Sequence, residues 1–160
     1  MGEHQSRVIH MNKKDKKIPI FSVETKSVAL VERIERSDAE WQKILDPATF
    51  EIARRAGTEH PFTGKYHAWK EHGLYRCACC GTDLFLSDTK FESGTGWPSF
   101  WAPVSGHNVE LKKDISFGMV RTEALCARCG AHLGHIFDDG PPPTHQRYCM
   151  NSASLEFVKW

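Results

Sequence analysis

The spacing of apolar and polar residues changes near Gly57 and divides the chain into a helical part and a β-rich part. Before this point, Ser37 followed by Glu40 matches a capping box, in which a serine caps a helix start and a glutamate reaches back to it. Asp46 followed by Pro47 marks a second helix start, whose pattern ends near Gly57. We therefore expect two short helices, interpreted as a cover on a β core because they carry no obvious reactive group.

After Gly57, short β-prone segments alternate with glycine, proline, aspartate and serine, which is typical of antiparallel strands joined by long loops. The sequence contains neither a β-α-β alternation nor a phosphate-binding glycine pattern, which argues against nucleotide binding. The fold is therefore predicted to be mainly β. The predicted strands include Leu74–Arg76, Asp83–Leu86, Gly118–Arg121 and Ser154–Val158.

Residues 1–36 differ from the rest and are predicted to be an N-terminal extension of a single domain that spans residues 37–160. The run Lys13-Lys-Asp-Lys-Lys17 is interpreted as a solvated tail. Two apolar segments, Ile18–Phe21 and Val28–Val31, are candidates for a short strand or a packing arm.

Composition and charge exclude several classes of function. The chain has 160 residues, 40% of them hydrophobic, and a formal net charge of +1, so neither a nucleic-acid partner nor a membrane partner is expected. It lacks a signal-peptide pattern at its start and any apolar run of membrane-spanning length. Paired cysteines in such a chain favour metal binding in a reducing compartment, which predicts a cytoplasmic protein.

Four of the six cysteines form two C-x-x-C pairs, Cys77-Ala-Cys-Cys80 and Cys126-Ala-Arg-Cys129. Two such pairs facing each other supply four thiolates in a tetrahedron, a closed site typical of one structural zinc ion. Iron remains an alternative because sulfur ligation alone does not distinguish the two metals. Cys79 offers a competing register with Cys77, and His132 and His135 are candidates for additional ligands, although four cysteines already fill the site.

Cys149 is the candidate nucleophile. It lies on a predicted strand whose alternation puts Arg147 and Asn151 on the same face. A nearby guanidinium favours the thiolate form that nucleophilic attack requires. Upstream residues are candidates for proton transfer and for orienting the proton donor. These residues are His132, His135 and Asp139.

Glycines and aromatic residues gather between Phe91 and Trp101, a segment that includes Trp97 and Phe100. Such a loop can form a rigid apolar pocket or pack its rings into the core. Beside a reactive cysteine, a pocket suggests a small substrate with an apolar part and a polar oxygen. Two other classes stay open at this point, a zinc-ribbon-like binding module with an inert Cys149 and a thiol peroxidase or disulfide reductase.

Several long motifs resemble the methionine-R-sulfoxide reductases of the MsrB family, from about Ser37 to the end of the chain. The motifs are Arg147-Tyr-Cys-Met-Asn-Ser-Ala-Ser-Leu155, His132-Leu-Gly-His-Ile-Phe-Asp-Asp-Gly-Pro141, Gly96-Trp-Pro-Ser-Phe100 and Pro61-Phe-Thr-Gly-Lys-Tyr66.

The resemblance implies a fold of two small antiparallel sheets with short N-terminal helices, and a zinc site away from the active site. It makes residues 37–160 the catalytic domain, which reduces the R epimer of methionine sulfoxide in oxidised proteins. Cys149 would attack the sulfoxide and become a sulfenic acid, while Trp97 and Phe100 bind substrate. The polar residues around the sulfoxide oxygen and the thiol would be His132, His135, Asp139, Arg147 and Asn151.

The chain departs from the family in the thiol that recycles Cys149. Many members have a resolving cysteine where this chain has Thr95, and some use a cysteine at the position of Thr63. Cys79 is the only cysteine without an assigned role, and its neighbours Cys77 and Cys80 place it in the turn that is predicted to bind the metal. Direct reduction by an external thiol, supplied by thioredoxin, glutathione or a glutaredoxin, is therefore expected ahead of a disulfide to Cys79.

Overall fold

A computed structural model of the chain describes residues 17–160, and most of the basic run 13–17 lies outside the described residues. Every strand pairing in this part of the chain is antiparallel. The strands are β1 (Lys17–Ser22), β2 (Ser27–Glu32), β3 (Gly73–Cys77), β4 (Asp83–Leu86), β5 (Lys90–Phe91), β6 (Ser99–Phe100), β7 (Val109–Asp114), β8 (Arg121–Cys126), β9 (His132–Phe137), β10 (Arg147–Met150) and β11 (Leu155–Lys159).

Two sheets build the domain predicted at residues 37–160, and a separate hairpin precedes it. The larger sheet has six strands in the order β5-β6-β10-β9-β8-β7, and the smaller has the order β11-β3-β4. The hairpin pairs β1 with β2. The mainly β, antiparallel architecture predicted from the sequence is confirmed. Within residues 17–160, no helix has the length and apolar character needed to cross a membrane.

Both predicted helix starts are confirmed. Helix α1 (Asp38–Ile44) begins with a complete capping box, in which Ser37 Oγ accepts from the Glu40 amide at 3.2 Å. Helix α2 (Pro47–Thr49) is capped by Asp46, whose carboxylate accepts from the Thr49 amide at 2.8 Å. The chain then continues into a π-helical turn, Phe50–Arg54. These local hydrogen bonds satisfy amides that have no partner inside a helix.

The core joins side chains of both sheets and the helical cover. Phe85 of the smaller sheet stacks on Phe100 of the larger one, with ring centroids 4.4 Å apart. Tyr75 meets Phe100 edge-on at 5.1 Å, and Trp41 of α1 is buried in the same cluster. Offset and edge-to-face aromatic contacts add to the stabilisation that comes from burying the rings.

The predicted strand at Gly118–Arg121 is wrong. Residues Ser116–Gly118 form a 3-10 turn, and β8 begins only at Arg121. Phe117 has a φ of 57°, in the left-handed region, so the backbone cannot continue as a strand there. Near the end of the chain, Ser154 belongs to another 3-10 turn, Ser152–Ser154, and β11 begins one residue later.

The β1–β2 hairpin packs on the domain through polar side chains. Asn108 accepts from the Phe21 amide at 2.8 Å and donates to the Phe21 carbonyl at 2.9 Å. The Val23 amide donates to Asp83 at 2.9 Å. The two apolar segments noted in the sequence therefore form a hairpin that acts as a packing arm. The boundary after residue 36 stays a prediction.

Candidate active site and metal centre

The two cysteine pairs meet at the ends of β3 and β8 and bring four thiol sulfurs together. The sulfurs of Cys77 and Cys129 are 3.6 Å apart, as are those of Cys80 and Cys126, and all four lie within 4.8 Å of one another. Four zinc–sulfur bonds of about 2.3 Å in a tetrahedron separate their sulfurs by roughly 3.8 Å. The four cysteines are therefore positioned to bind one metal ion.

Both cysteine pairs adopt the same turn, for a reason visible in the sequence. Each pair is followed by a glycine, and its amide donates to the carbonyl of the first cysteine at 2.8 Å, Gly81 to Cys77 and Gly130 to Cys126. These glycines have φ values of +80° and +77°, which L side chains rarely adopt. The motif C-x-x-C-G thus encodes the local shape of each half of the site.

Other candidate ligands have different partners. His132 and His135 pair with carboxylates, as described below, and do not belong to the sulfur cluster. Cys79 contacts the sulfurs of Cys77 and Cys129, so it lies beside the cluster. Arg54 donates to the carbonyl of Cys129 at 2.9 Å and covers this side of the site.

Cys149 lies in a different place, in a cavity of about 200 Å³. Ligand pockets for drug-sized molecules measure roughly 300–1,000 Å³, so this cavity is suited to a single side chain. Five predicted site residues line it, namely Trp97, His135, Arg147, Cys149 and Asn151. Five others that the sequence did not single out for binding also line it, namely Thr58, Thr95, Arg121, Gly134 and Phe137.

The environment of Cys149 favours the neutral thiol. Burial raises its pKa above that of an ordinary cysteine, and this outweighs the lowering by the Arg147 charge and by the Thr95 hydroxyl. The expectation that a guanidinium favours the thiolate is correct in sign, but desolvation is the larger effect.

Asp139 holds Arg147 against the cavity without lining it. The carboxylate accepts from Nε of Arg147 at 2.8 Å and from a terminal nitrogen at 3.2 Å, a bidentate pair. The guanidinium also lies over the ring of Phe137, 4.5 Å from its centroid. The Arg147 hydrogen bond lowers the pKa of Asp139, so this carboxylate stays charged at neutral pH.

Each of the two histidines is paired with a carboxylate from another strand of the same sheet, Glu123 on the adjacent β8 and Asp114 on β7 beyond it. His135 Nε2 donates to Asp114 at 2.8 Å, which leaves Nδ1 for the cavity. Arg121 donates to the same Asp114 oxygen at 3.3 Å. His132 Nδ1 donates to Glu123 at 2.6 Å, and burial lowers the pKa of His132. His132 does not line the cavity, and its ring meets that of His135 edge-on at 5.4 Å, so it supports His135 from behind.

Asn151 is buried directly after β10, and its side chain forms hydrogen bonds with two other segments of the chain. Its side-chain oxygen accepts from the Glu59 amide at 3.1 Å, and its amide nitrogen donates to the Leu133 carbonyl at 3.3 Å. Gly134 faces this strand so closely that a Cβ there would lie 2.0 Å from the Cys149 carbonyl. Only glycine allows β9 to approach β10 at this point.

The two aromatic residues predicted to bind substrate lie in different places. Trp97 lines the cavity, and its indole donates to the Glu59 carbonyl at 3.0 Å. Phe100 has no exposed surface, since it stacks on Phe85 in the core. The assignment of Phe100 to substrate binding is wrong, because its neighbour Ser99 pairs with Cys149 while the phenyl ring faces the opposite sheet.

Two segments of the site were missed by the sequence-based prediction. Glu59 and Thr58 directly precede the Pro61–Tyr66 motif, which was the one signal that pointed to this segment. Asp114 stands 21 residues before its partner His135, and no local pattern connects the two. Strand pairing brings them together.

Comparison with known proteins identifies the family. A SelR domain model matches residues 45–159. A peptide methionine sulfoxide reductase MsrB of Methanosarcina barkeri is 56% identical over 124 residues, covering 78% of this chain and 87% of its own length. One of Pseudomonas savastanoi is 52% identical over 128 residues, with 80% and 98% covered. One of Synechococcus is 55% identical over 124 residues, with 78% and 91% covered. The chain therefore belongs to the MsrB family of peptide methionine sulfoxide reductases.

Proposed function

We propose that this oxidoreductase reduces the R epimer of methionine sulfoxide in oxidised proteins to methionine, with Cys149 as the nucleophile. The observation that carries the proposal is the cavity of about 200 Å³, which is lined by Cys149 together with the indole of Trp97 and the polar side chains of His135, Arg147 and Asn151. A cavity of this size suits the side chain of methionine sulfoxide.

The chemistry transfers one oxygen between two sulfur atoms. The Cys149 sulfur, as thiolate, attacks the sulfoxide sulfur, and a proton reaches the sulfoxide oxygen. This attack forms a bond between the two sulfur atoms. The oxygen then passes to the Cys149 sulfur while the S–O bond of the substrate and the new S–S bond break, which releases methionine and leaves Cys149 as a sulfenic acid. The methionine sulfur gains two electrons and the cysteine sulfur loses two.

His135 is the proposed proton donor, through Nδ1. Its Nε2 is engaged by Asp114, and this hydrogen bond fixes the orientation of the ring. Arg147 and Asn151 complete the polar side of the cavity and would contact the sulfoxide oxygen. His132 and Asp139 are positioning residues, the first for His135 and the second for Arg147.

Preference for one epimer follows from having an apolar and a polar side in one small cavity. If the methyl group lies on Trp97 and the oxygen faces His135, the rest of the methionine must leave through the opening. With Cys149 attacking opposite the S–O bond, only one configuration at sulfur directs the rest of the methionine to the opening. The opposite epimer would bring the oxygen against the indole and leave it without a hydrogen bond.

Recycling of Cys149 requires a thiol from another molecule. All six cysteines lie within the described residues, and Cys149 is the only one that lines the cavity. A first external thiol would condense with the sulfenic acid to a mixed disulfide and release water. A second thiol would then release reduced Cys149. Thioredoxin, glutathione or a glutaredoxin could supply these thiols.

The proposed metal is zinc, held by Cys77, Cys80, Cys126 and Cys129 as a structural ion. Bound there, it would cross-link the β3 and β8 turns, with no open position for a reacting group. Thiolate ligands and a thiol-dependent cycle both suit a reducing compartment, so we place the protein in the cytoplasm. Its role would be the repair of proteins after oxidative stress.

The test is a single turnover of the reduced protein, without added reductant, on each epimer of a blocked methionine sulfoxide. About one methionine per protein from the R epimer alone, with a sulfenic acid on Cys149, is the expected result. Cys149→Ser should form none, and Cys79→Ser should behave as wild type. Methionine formation by Cys149→Ser would refute the nucleophile, and a disulfide between Cys79 and Cys149 would refute the recycling route.

A further inference from the structure

We propose that the N-terminal arm, residues 17–34, is a strap that holds the two cysteine turns in place around the metal and slows the loss of the metal. The arm contains β1, β2 and the residues that lead towards α1. This inference rests on the proposed metal site and is independent of the reaction at Cys149. It gives the segment that precedes the predicted catalytic domain a role in retaining the metal.

The end of the arm is bound to the turn of the second cysteine pair. Three hydrogen bonds join residues 32–34 to the two residues that lie between Cys126 and Cys129. The Ile34 amide donates to the Arg128 carbonyl at 2.9 Å, Arg33 Nη1 donates to the Ala127 carbonyl at 3.2 Å, and Arg128 Nε donates to the Glu32 carbonyl at 3.0 Å. Because donors lie on both sides of this contact, the position of the arm and the shape of the turn depend on each other.

A buried asparagine connects the start of the arm to β4 and to the second cysteine turn. Asn108 has no exposed surface. Its side chain forms hydrogen bonds with both backbone groups of Phe21 and also donates to the Asp83 carbonyl at 2.7 Å. Its own carbonyl accepts from the Ala127 amide at 3.0 Å. Buried polar groups require such partners, so displacing the arm would remove two partners from a residue that contacts the second turn directly.

The arm also reaches the segment that follows the first cysteine pair. Val23 is buried, and its amide donates to the Asp83 carboxylate at 2.9 Å. In the residue directly before this carboxylate, the Thr82 carbonyl accepts from the Cys77 amide at 2.8 Å, and the Thr82 hydroxyl lies 3.0 Å from the Cys80 sulfur. The arm is therefore fixed one residue away from a side chain that contacts a candidate ligand sulfur.

A link to both turns affects how easily the metal is lost. Release requires the cysteines of one pair to move away from those of the other, because four thiolates surround the ion in a closed site. The arm contacts both turns, so its hydrogen bonds must break before the turns can separate. While the arm stays bound, a thiolate that has dissociated remains close to the site and binds again. By linkage, metal binding stabilises the bound arm as much as the arm stabilises metal binding.

The test is the rate at which zinc passes from the zinc-loaded, full-length protein to an excess of a chromogenic chelator under reducing conditions. Two variants loosen the arm in different ways. Ile34→Pro removes the amide that donates to Arg128 and leaves the charge unchanged, and Arg33→Met removes the guanidinium that donates to Ala127. A hydrogen bond with a charged donor contributes more than a neutral one. We therefore expect release to be about threefold faster in Ile34→Pro and about tenfold faster in Arg33→Met.

Matched controls change the same part of the chain without removing these donors. Glu35→Pro places the proline one residue further along, and Lys26→Met removes a cation at the exposed turn of the hairpin. Both should release zinc at the wild-type rate. Fast release that is confined to Arg33→Met and disappears as salt is raised would mean that the arginine acts only through its charge, which overturns the inference.

Hydrogen exchange of the zinc-loaded variants shows whether the arm has detached. In Ile34→Pro, the amides of Phe21 and Val23 should exchange faster than in wild type, whereas the amide of Trp101, which donates to the Thr89 carbonyl, should not change. Faster release without faster exchange in the arm would mean that the variant disturbed the metal turn alone. Faster exchange with unchanged release would mean that the arm only packs on the domain. Either result overturns the inference.

Failure of this inference and failure of the proposed function give different results. The zinc-loaded variants should reduce the R sulfoxide in a single turnover as wild type does, since no residue of the arm lines the cavity around Cys149. Equal release rates with normal turnover would refute the role of the arm alone. Absence of turnover in wild type, with zinc release that depends on the arm, would refute the reductase alone. A wild-type protein that binds no zinc would refute the proposed metal site together with the role of the arm.

Discussion

The backbone carbonyl of Glu59 accepts a hydrogen bond from the indole of Trp97 at 3.0 Å, and Glu59 also contacts the segment that follows β10. The same residue donates its amide to Asn151 at 3.1 Å. Its carboxylate accepts from the amides of Ser152 and Ala153 at 2.8 and 3.1 Å. Glu59 thereby links Trp97 in the cavity wall to the end of β10, the strand that carries Cys149.

Removing the Glu59 carboxylate should loosen the cavity. Each hydrogen bond to a charged group contributes about 1.5–3 kcal/mol, so Glu59→Ala is expected to lower kcat/KM by about tenfold or more. Glu59→Gln keeps one acceptor and should lie between the alanine variant and wild type. Glu156→Ala, which removes an exposed carboxylate from β11, is the matched control. Unchanged kinetics in Glu59→Ala, with the thermal midpoint measured in parallel, would contradict the positioning role.

The reactivity of Cys149 should depend steeply on pH. Because burial raises its pKa, the thiolate fraction grows about tenfold per pH unit through the neutral range. The rate of alkylation by iodoacetamide should therefore keep rising from about pH 6 to above about pH 8. A rate that levels off below neutral pH would contradict the raised pKa.

Removing the Arg147 charge should slow this alkylation. The guanidinium lowers the pKa of Cys149, so Arg147→Met raises it further and should reduce the rate at neutral pH by about threefold or more. Arg128→Met, which removes a cation on the metal turn, should leave the rate unchanged. A faster reaction in Arg147→Met would mean that the arginine shields the thiol more than it activates it.

A cysteine introduced in place of Thr95 should act as an internal resolving thiol. Thr95 lines the same cavity as Cys149, and its hydroxyl lowers the pKa of the Cys149 thiol, so Thr95→Cys should bring two thiols close together. After one turnover, the introduced thiol should condense with the sulfenic acid and release water, and the variant should lose its reactivity towards a sulfenic-acid probe. Mass spectrometry would detect the disulfide. Thr144→Cys, at a residue that does not line the cavity, should retain the sulfenic acid, and a persistent sulfenic acid in Thr95→Cys would contradict the placement of Thr95.

Loss of one metal ligand should destabilise the whole domain and not only the turn that carries this ligand. Cys126 is buried in the core cluster, so Cys126→Ser is expected to lose the metal and several kcal/mol of stability. Cys79→Ser should keep the metal, because Cys79 is outside the group of four. Metal content by atomic spectroscopy and the thermal midpoint check both variants, and equal metal loss in the two would show that Cys79 is a ligand.

Much of the local structure could be read from short stretches of sequence. The capping box at Ser37 and Glu40 and the cap at Asp46 were predicted correctly, because each depends on hydrogen bonds between residues three apart. The turns of the two C-x-x-C pairs could be predicted equally well from the sequence. The strand predicted at Gly118–Arg121 failed, because β-prone residues there serve an exposed turn that carries Phe117.

Cysteine spacing and strand alternation were enough to point to a four-sulfur site and to put Arg147 and Cys149 on one face of a strand. Only the tertiary structure decided that Trp97 lines the cavity while Phe100 is buried on Phe85, that Asp114 engages His135, and that Glu59 links both sides of the site. It also decided that desolvation outweighs the arginine in setting the state of Cys149. The physical reason is the separation along the chain of the residues that interact. Caps, turns and strand alternation arise from residues close together in the sequence, whereas burial and cross-strand hydrogen bonds depend on which distant segments meet.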